Sequence, residues 1–250
     1  MNESIRASLL GLSHELGAES RQLAILGEGN TSAQLGTTFL VKASGSSLGT
    51  LQEEDLVECR SASILELFDR EEVSDEEIDQ VLLDSRVDTS AKKPSVEALF
   101  HAYLLSLPKV GFVGHTHPVS VNGILCSPRA EEFARNRVFP DEVVCCGTRS
   151  VFVPYSDPGL ALARMIREGT QRHLAEVGSL PRVILLQNHG VITLGATVEA
   201  VKASMYMAVK AASIFLHAAS LGGPVFLSEA VIDRIANRRD EHYRQAALKL

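Results

Sequence analysis

What this 250-residue sequence lacks removes several classes of protein at once. No window of about 18 apolar residues is free of charge, which a membrane-spanning helix requires; the most apolar stretch, residues 201–221, carries Lys202 and Lys210. Residues 1–6 include Glu3 and no apolar core segment, so no secretory signal is expected and the chain is placed in the cytoplasm. There is no block of positive charge. With 24 Lys+Arg against 31 Asp+Glu the net charge is −7, so nothing drives counterion release from nucleic acid phosphates, and neither nucleic acid nor a membrane is expected as a partner. Cysteine is limited to Cys59, Cys126, Cys145 and Cys146, with no CxxC spacing; the adjacent pair, read as strand residues, points to opposite faces and argues against a disulfide or a shared zinc. Neither a Walker-type loop nor a GxGxxG after a strand is present, which leaves nucleotide binding with little support. No linker rich in proline, glycine or serine, no repeat and no low-complexity tract divides the chain, so one domain over residues 1–250 is expected.

What is present alternates between two periodicities. Ile5, Leu9, Leu12 and Leu16 recur at helical spacing and Gly17 follows, predicting an amphipathic helix over residues 3–16 with a glycine cap. Extended runs at residues 23–26 and 38–42 are separated by the turn-rich segments 27–32 and 35–37. Thr50 with Glu53, and Ser74 with Glu77, have capping-box spacing, and the acidic stretch 69–79 reads as a solvated helix entrance. Then come a helix over 95–107, an apolar run at 110–114, an extended pair at 143–146 and 151–153, and a helix from Pro158 to about Val177. A buried strand at 183–186 continues at 191–194 beyond Gln187-Asn188-His189-Gly190, and long helices close the chain. Interleaved strands and helices predict an α/β fold with a covered central sheet.

Three of eight histidines stand at the ends of apolar strand-like runs. In an extended chain His115 and His117 share a face, a plausible half of a divalent-metal site, or else two hydrogen-bonded residues at a sheet margin. His189 also ends a buried strand, before Gly190, whose freedom at positive φ permits an abrupt turn. Strand ends in α/β folds gather on one rim, and three histidines with an open position suit catalysis better than a closed structural site. His14, His101, His173, His217 and His242 read as surface or packing residues. Glu97, one turn into the helix after Pro94-Ser95, is either a cap or, beside a metal, a proton shuttle. Gly29-Asn30-Thr31-Ser32 and Ser44-Gly45-Ser46-Ser47 are ordinary turns or loops whose N–H groups and hydroxyls receive an oxyanion, with Lys42 able to add a positive charge.

In order and spacing, Gly29-Asn30-Thr31-Ser32, Ser44-Gly45, Pro94-Ser95-Val96-Glu97, His115-Thr116-His117-Pro118 and Asn188-His189-Gly190 resemble the class II aldolase/adducin family. That family is typified by the zinc-dependent fuculose-phosphate and rhamnulose-phosphate aldolases, and the segments around residues 29–32 and 40–46 look especially like the aldolase portion of bifunctional rhamnulose-phosphate aldolases. The resemblance implies a three-layer α/β/α sandwich with a central mixed sheet, and a homotetramer with sites between subunits. It implies that His115, His117 and His189 bind zinc or another divalent transition metal, that Glu97 is the acid/base, and that Asn30, Ser44, Gly45 and Ser95 line a phosphate pocket. The implied substrate is a sugar or sugar phosphate, cleaved or formed at a carbon–carbon bond, with the cation stabilising the enediolate as Lewis acid and no Schiff-base lysine. A 4-epimerase, dehydratase or decarboxylase on the same fold and a non-catalytic adducin-like module are the alternatives. Two departures stand out. Val96 occupies the place of a second serine, and residues 138–142 hold no tyrosine; Asp141 and Glu142 read as a solvated turn or as a substitute proton donor, and the C-terminal Tyr243 as a donor reaching a neighbouring subunit's site.

Overall fold

The structure, a computed structural model, describes residues 2–247; the side chains of His242 and Arg244 lie outside what it describes. In chain order the elements are α1 (Asn2–Leu16), β1 (Asn30–Gln34), β2 (Thr38–Lys42), β3 (Leu56–Arg60), α2 (Ser61–Glu66), α3 (Asp75–Ser85), α4 (Ala98–Ser106), β4 (Phe112–Thr116), α5 (Val119–Leu125), α6 (Ala130–Arg135), α7 (Pro140–Cys146), β5 (Val151–Val153), α8 (Leu160–Val177), β6 (Val183–Leu186), β7 (Gly190–Gly195), α9 (Val198–Ser220), α10 (Glu229–Ala236) and α11 (Arg239–Ala247). The fold is α/β with one seven-stranded mixed sheet, ordered β3-β2-β1-β4-β7-β6-β5, as the alternation of patterns predicts. Contacts group the chain into two compact units, one running to Thr116 and including Ser156–Glu168, the other comprising His117–Tyr155 and the chain from Gly169. Among the described residues no helix is long and apolar enough to cross a membrane.

In the first unit, the apolar stripe of α1 buries Leu9, Leu12 and Leu16 completely. Gly17 follows the helix without a left-handed turn, so its expected role as a cap is corrected. A Cβ there would stand 2.1 Å from the Gly49 backbone nitrogen, and glycine is needed because two backbones touch. The β-branched and aromatic residues of β2 pair antiparallel with β1 on one side and with β3 on the other.

Residues 23–26 form no strand, and half of the segment read as a turn, 27–32, is the inner strand β1. Asn30, Thr31 and Ser32 look like turn residues, yet all three are fully buried, and the hydroxyls of Thr31 and Ser32 are satisfied by distant partners. Thr31 Oγ1 lies 2.6 Å from Ser13 Oγ, and Ser32 Oγ lies 2.6 Å from His101 Nδ1. Local sequence does not carry those partners. The Ser74–Glu77 capping box forms as predicted and starts α3. Thr50 caps nothing; the turn begins two residues later, where the Gln52 N–H donates to Asp55 Oδ2 at 2.9 Å.

In the second unit β6 and β7 form an antiparallel hairpin, with β5 parallel to β6. The positive φ in the connection belongs to Asn188, at 55°, and Gly190 is an ordinary first residue of β7, contrary to the expectation placed on it. Residues 143–146, read as extended from their Val-Val-Cys-Cys run, belong to α7. The signals were in the preceding residues: Pro140 at the first helical position with Asp141 and Glu142 in the first turn. Cys145 and Cys146 therefore sit together in the last turn of a buried helix, neither of them in a disulfide, and burial pushes the Cys146 thiol far above its ordinary range. Helix α8 begins at Leu160, two residues after Pro158.

Candidate metal and substrate site

Four side chains meet. Glu97, His115, His117 and His189 each offer one ligand atom, and these atoms all lie within 4.8 Å of one another. A tetrahedral cation with metal–nitrogen distances of about 2.0–2.1 Å holds its ligand atoms about 3.4 Å apart, so the cluster has the dimensions of a divalent-cation site after modest side-chain adjustment. Three imidazoles and a carboxylate are the donor set that borderline-soft divalent ions take.

Each of the four is brought there by a local feature. His115 lies one residue before the end of β4, in register opposite Asn30 of β1, and is fully buried. Its ring meets Phe100 edge-on at 5.6 Å, and its Nε2 is 3.2 Å from Glu97 Oε1. His117 follows just beyond the strand end, and Pro118 stands immediately before α5. His189 occupies the β6–β7 turn, where the His189 N–H donates to the Leu186 carbonyl and the His189 carbonyl accepts from Asn122 Nδ2 at 3.0 Å. The His117 and His189 rings are 5.1 Å apart at 65°.

Glu97 does not stand a turn inside the helix. It occupies the position just before α4, and its side chain makes no capping bond. The cap reading therefore fails: the carboxylate faces His115 through Oε1 and accepts from Asn30 Nδ2 at 3.4 Å through Oε2.

The expected anion-binding residues are distributed over adjoining segments. Ala43 bridges Pro94 antiparallel, the Ser44 N–H donates to the Lys93 carbonyl at 2.9 Å, and the Ser95 N–H donates to the Lys42 carbonyl at 3.3 Å. Ser44 and Gly45 are exposed, and Gly45 has φ 79° with open space where a side chain would stand. Ser95 is half-buried, its Oγ accepting the Glu97 N–H at 3.3 Å. Asn30, by contrast, is buried, and its amide serves Glu97 and the Thr31 N–H.

Lys42 is only 2% exposed, and its ammonium donates to the carbonyls of Gly27, Ala43 and Ser46, tying the 27–32 segment to the 44–47 loop. Burial lowers its pKa against the opposing pull of Glu97 and Asp55. Glu142 is not in a solvated turn: it is 3% exposed and lies 3.7 Å from the buried Arg137 guanidinium, and burial raises its pKa. Tyr243 is 79% exposed. Three participants were not foreseen as such: Asn122, which holds the His189 turn, Asp55, which anchors the 44–47 loop through Ser46, and His101, read as packing but hydrogen-bonded to β1.

Comparison with known proteins accords with this geometry. Residues 9–216 match the family described as Class II Aldolase and Adducin N-terminal domain, and the chain belongs to that family. It is 31% identical over 159 residues to the Bacillus subtilis (strain 168) protein named uncharacterized oxidoreductase YuxG, an alignment covering 64% of this chain and 21% of that protein. The chain thus spans about a fifth of the length of the curated relative it matches. Among solved structures, the N-terminal class II aldolase domain of a conserved Thermoplasma acidophilum protein is 26% identical with a TM-score of 0.69, covering 84% of this chain and 92% of that one. The L-fuculose-1-phosphate aldolase of Thermus thermophilus shares the fold, at 19% identity, a TM-score of 0.63, and coverage of 89% and 100%.

Proposed function

We propose that this protein is a metal-dependent aldolase that cleaves or forms a carbon–carbon bond in a ketose phosphate or a closely related sugar. The observation that carries the reading is the convergence of His115, His117 and His189 with the Glu97 carboxylate. His115, His117 and His189 would hold a zinc ion, which when bound supplies a Lewis acid for the substrate's carbonyl and adjacent hydroxyl oxygens. Glu97 takes the proton-transfer role, moving a proton to or from the substrate carbon beside that carbonyl. Asn30, hydrogen-bonded to the carboxylate, holds it in place, while its own burial keeps it away from solvent. The exposed Ser44-Gly45 turn and the neighbouring Ser95 hydroxyl receive the phosphate, and Lys42 keeps the two supporting segments together. Asn30 is better suited to Glu97 than to direct phosphate contact, because it is fully buried and its amide already meets the Glu97 carboxylate and the Thr31 N–H.

The oxidoreductase name of the Bacillus relative is not carried over, since this chain spans only a fifth of that protein and contains no GxGxxG loop after a strand. The test is aldehyde release from a panel of ketose phosphates by the zinc-loaded protein, with and without a chelator. Cleavage that stops on chelation and returns with zinc supports the proposal, with Glu97→Gln expected to lower kcat by about 100- to 10,000-fold. Epimerised, dehydrated or decarboxylated product in place of aldehyde assigns one of the alternative reactions. Metal content and activity unaffected by His189→Ala would overturn the site assignment.

A further inference from the structure

The face of β1 that looks toward α4 carries two polar residues at strand spacing, Asn30 and Ser32. The facing side of α4 and its entry carries two at helical spacing, Glu97 and His101. They pair in order. Asn30 Nδ2 is 3.4 Å from Glu97 Oε2, and Ser32 Oγ is 2.6 Å from His101 Nδ1. Ser32 and His101 are both fully buried, in a region where an apolar pair would pack without the cost of desolvating polar groups. Their hydrogen bond therefore does something that packing alone does not.

The ring stack extends the connection. His101 stacks on the adjacent Phe100 ring at 4.6 Å with the planes 26° apart, and Phe100 meets His115 edge-on at 5.6 Å. Among the described residues His101 Nε2 has no hydrogen-bond partner. With Nε2 unpaired, the tautomer that buries no bare N–H carries its proton on Nδ1 and donates it to the Ser32 hydroxyl oxygen. Burial, the largest influence, pulls the His101 pKa down to about 3 against the attraction of Glu97, so the ring stays neutral and does not compete for the carboxylate.

We propose that Ser32 and His101 are positioning residues for Glu97: their buried hydrogen bond locks the register of α4 on β1 and so fixes the carboxylate against His115, with Phe100 steadying that imidazole from the same side. This rests on the reading of Glu97 and His115 as neighbours of a bound divalent ion. Neither residue is assigned a contact with substrate. Sliding α4 by even a fraction of a turn moves Glu97, because that residue immediately precedes the first residue of the helix.

The experiment is a cobalt(II) titration of the full chain, read by visible absorption and by affinity, with no substrate present. The variants are Glu97→Gln, Ser32→Ala, His101→Leu and His101→Asn, the last retaining a donor near the position of Nδ1. Ser32→Ala and His101→Leu are expected to bind one cobalt ion about tenfold more weakly, in the range usual for residues that orient metal-site side chains, with the absorption band displaced in the direction Glu97→Gln displaces it. His101→Asn restores most of both. The proposal is overturned if Ser32→Ala and His101→Leu keep wild-type affinity and spectrum while Glu97→Gln changes them, a result that leaves the Glu97 assignment standing. If Glu97→Gln itself changes neither, the reading of Glu97 at the metal falls, and this inference with it. Should His101→Leu fail to fold, Ser32→Ala, which removes a single buried oxygen, decides between the same outcomes.

Discussion

Replacing Asp55 by asparagine tests the electrostatics that shape the 44–47 loop. Asp55 is 8% exposed, and its Oδ1 accepts from Lys92 Nζ at 2.6 Å and from Ser46 Oγ at 2.7 Å, while Oδ2 accepts the Gln52 N–H at 2.9 Å. Its carbonyl also accepts the Ala43 N–H at 2.8 Å, so one residue anchors the end of β2 and the loop that follows. Burial by itself raises the carboxyl pKa, but the bonds from Lys92, Gln52 and Ser46 outweigh it and bring the value from 3.8 down to about 2. At about 1.4 kcal/mol per pH unit that displacement is worth about 2–3 kcal/mol, and about 1–2 kcal/mol once the solvent screening of the half-exposed Lys92 is allowed for. Because the folded state holds the ionised form more tightly than the unfolded chain does, this stability is fully present above the ordinary carboxyl pKa. It is lost as the pH falls from about 4 to about 2. Urea unfolding of wild type and Asp55→Asn across that range is the assay. The difference between them should be about 1–2 kcal/mol at neutral pH and shrink toward zero at the acid end. A difference that stays constant with pH, or none at neutral pH, would show that the Asp55 charge does not stabilise the loop.

Two further substitutions probe backbone and core. Gly29 has φ 72°, and a Cβ there would stand 2.6 Å from the His115 carbonyl oxygen. Gly29→Ala should therefore cost more than the about 1–2 kcal/mol of a left-handed alanine and weaken cobalt binding as well. Gly36→Ala, at φ 93° with open space around it, should show the stability loss alone, as thermal melts and metal titration would reveal. Arg137 is 1% exposed and donates to the carbonyls of Ala134, Asn136 and Gly147 and to Ser150 Oγ, beside Glu142. Arg137→Met should lower stability in urea by about 3–5 kcal/mol, since it strands a buried carboxylate, and the loss should be smaller in the double variant with Glu142→Gln.

The sequence was most legible where a side chain's partner lies close along the chain. The helical stripe of α1, the Ser74–Glu77 box and the strands β2, β5 and β6 follow from spacing and local chemistry alone. It misled where tertiary partners overrule local preference. Asn30, Thr31 and Ser32 have turn chemistry, yet they pair with β2 and β4, and the hydroxyl of Ser13, the ring of His101 and the carboxylate of Glu97 satisfy their side chains in that buried strand. The Val143-Val144-Cys145-Cys146 run has strand composition, and the helix comes from Pro140 and the acidic first turn upstream. For the site, motif order picked out the four clustered residues, because strand ends and a hairpin turn are where an α/β fold gathers chemistry. Asn122 and Asp55 carry no such signal, since each acts through a hydrogen bond to a segment far along the chain.

Crystals grown with zinc, with diffraction recorded on both sides of its absorption edge, address the proposed chemistry directly. One anomalous peak per chain is expected within coordination distance of His115, His117 and His189, lost in His189→Ala. A peak absent, or bound elsewhere on the chain while these three imidazoles turn aside, would contradict it.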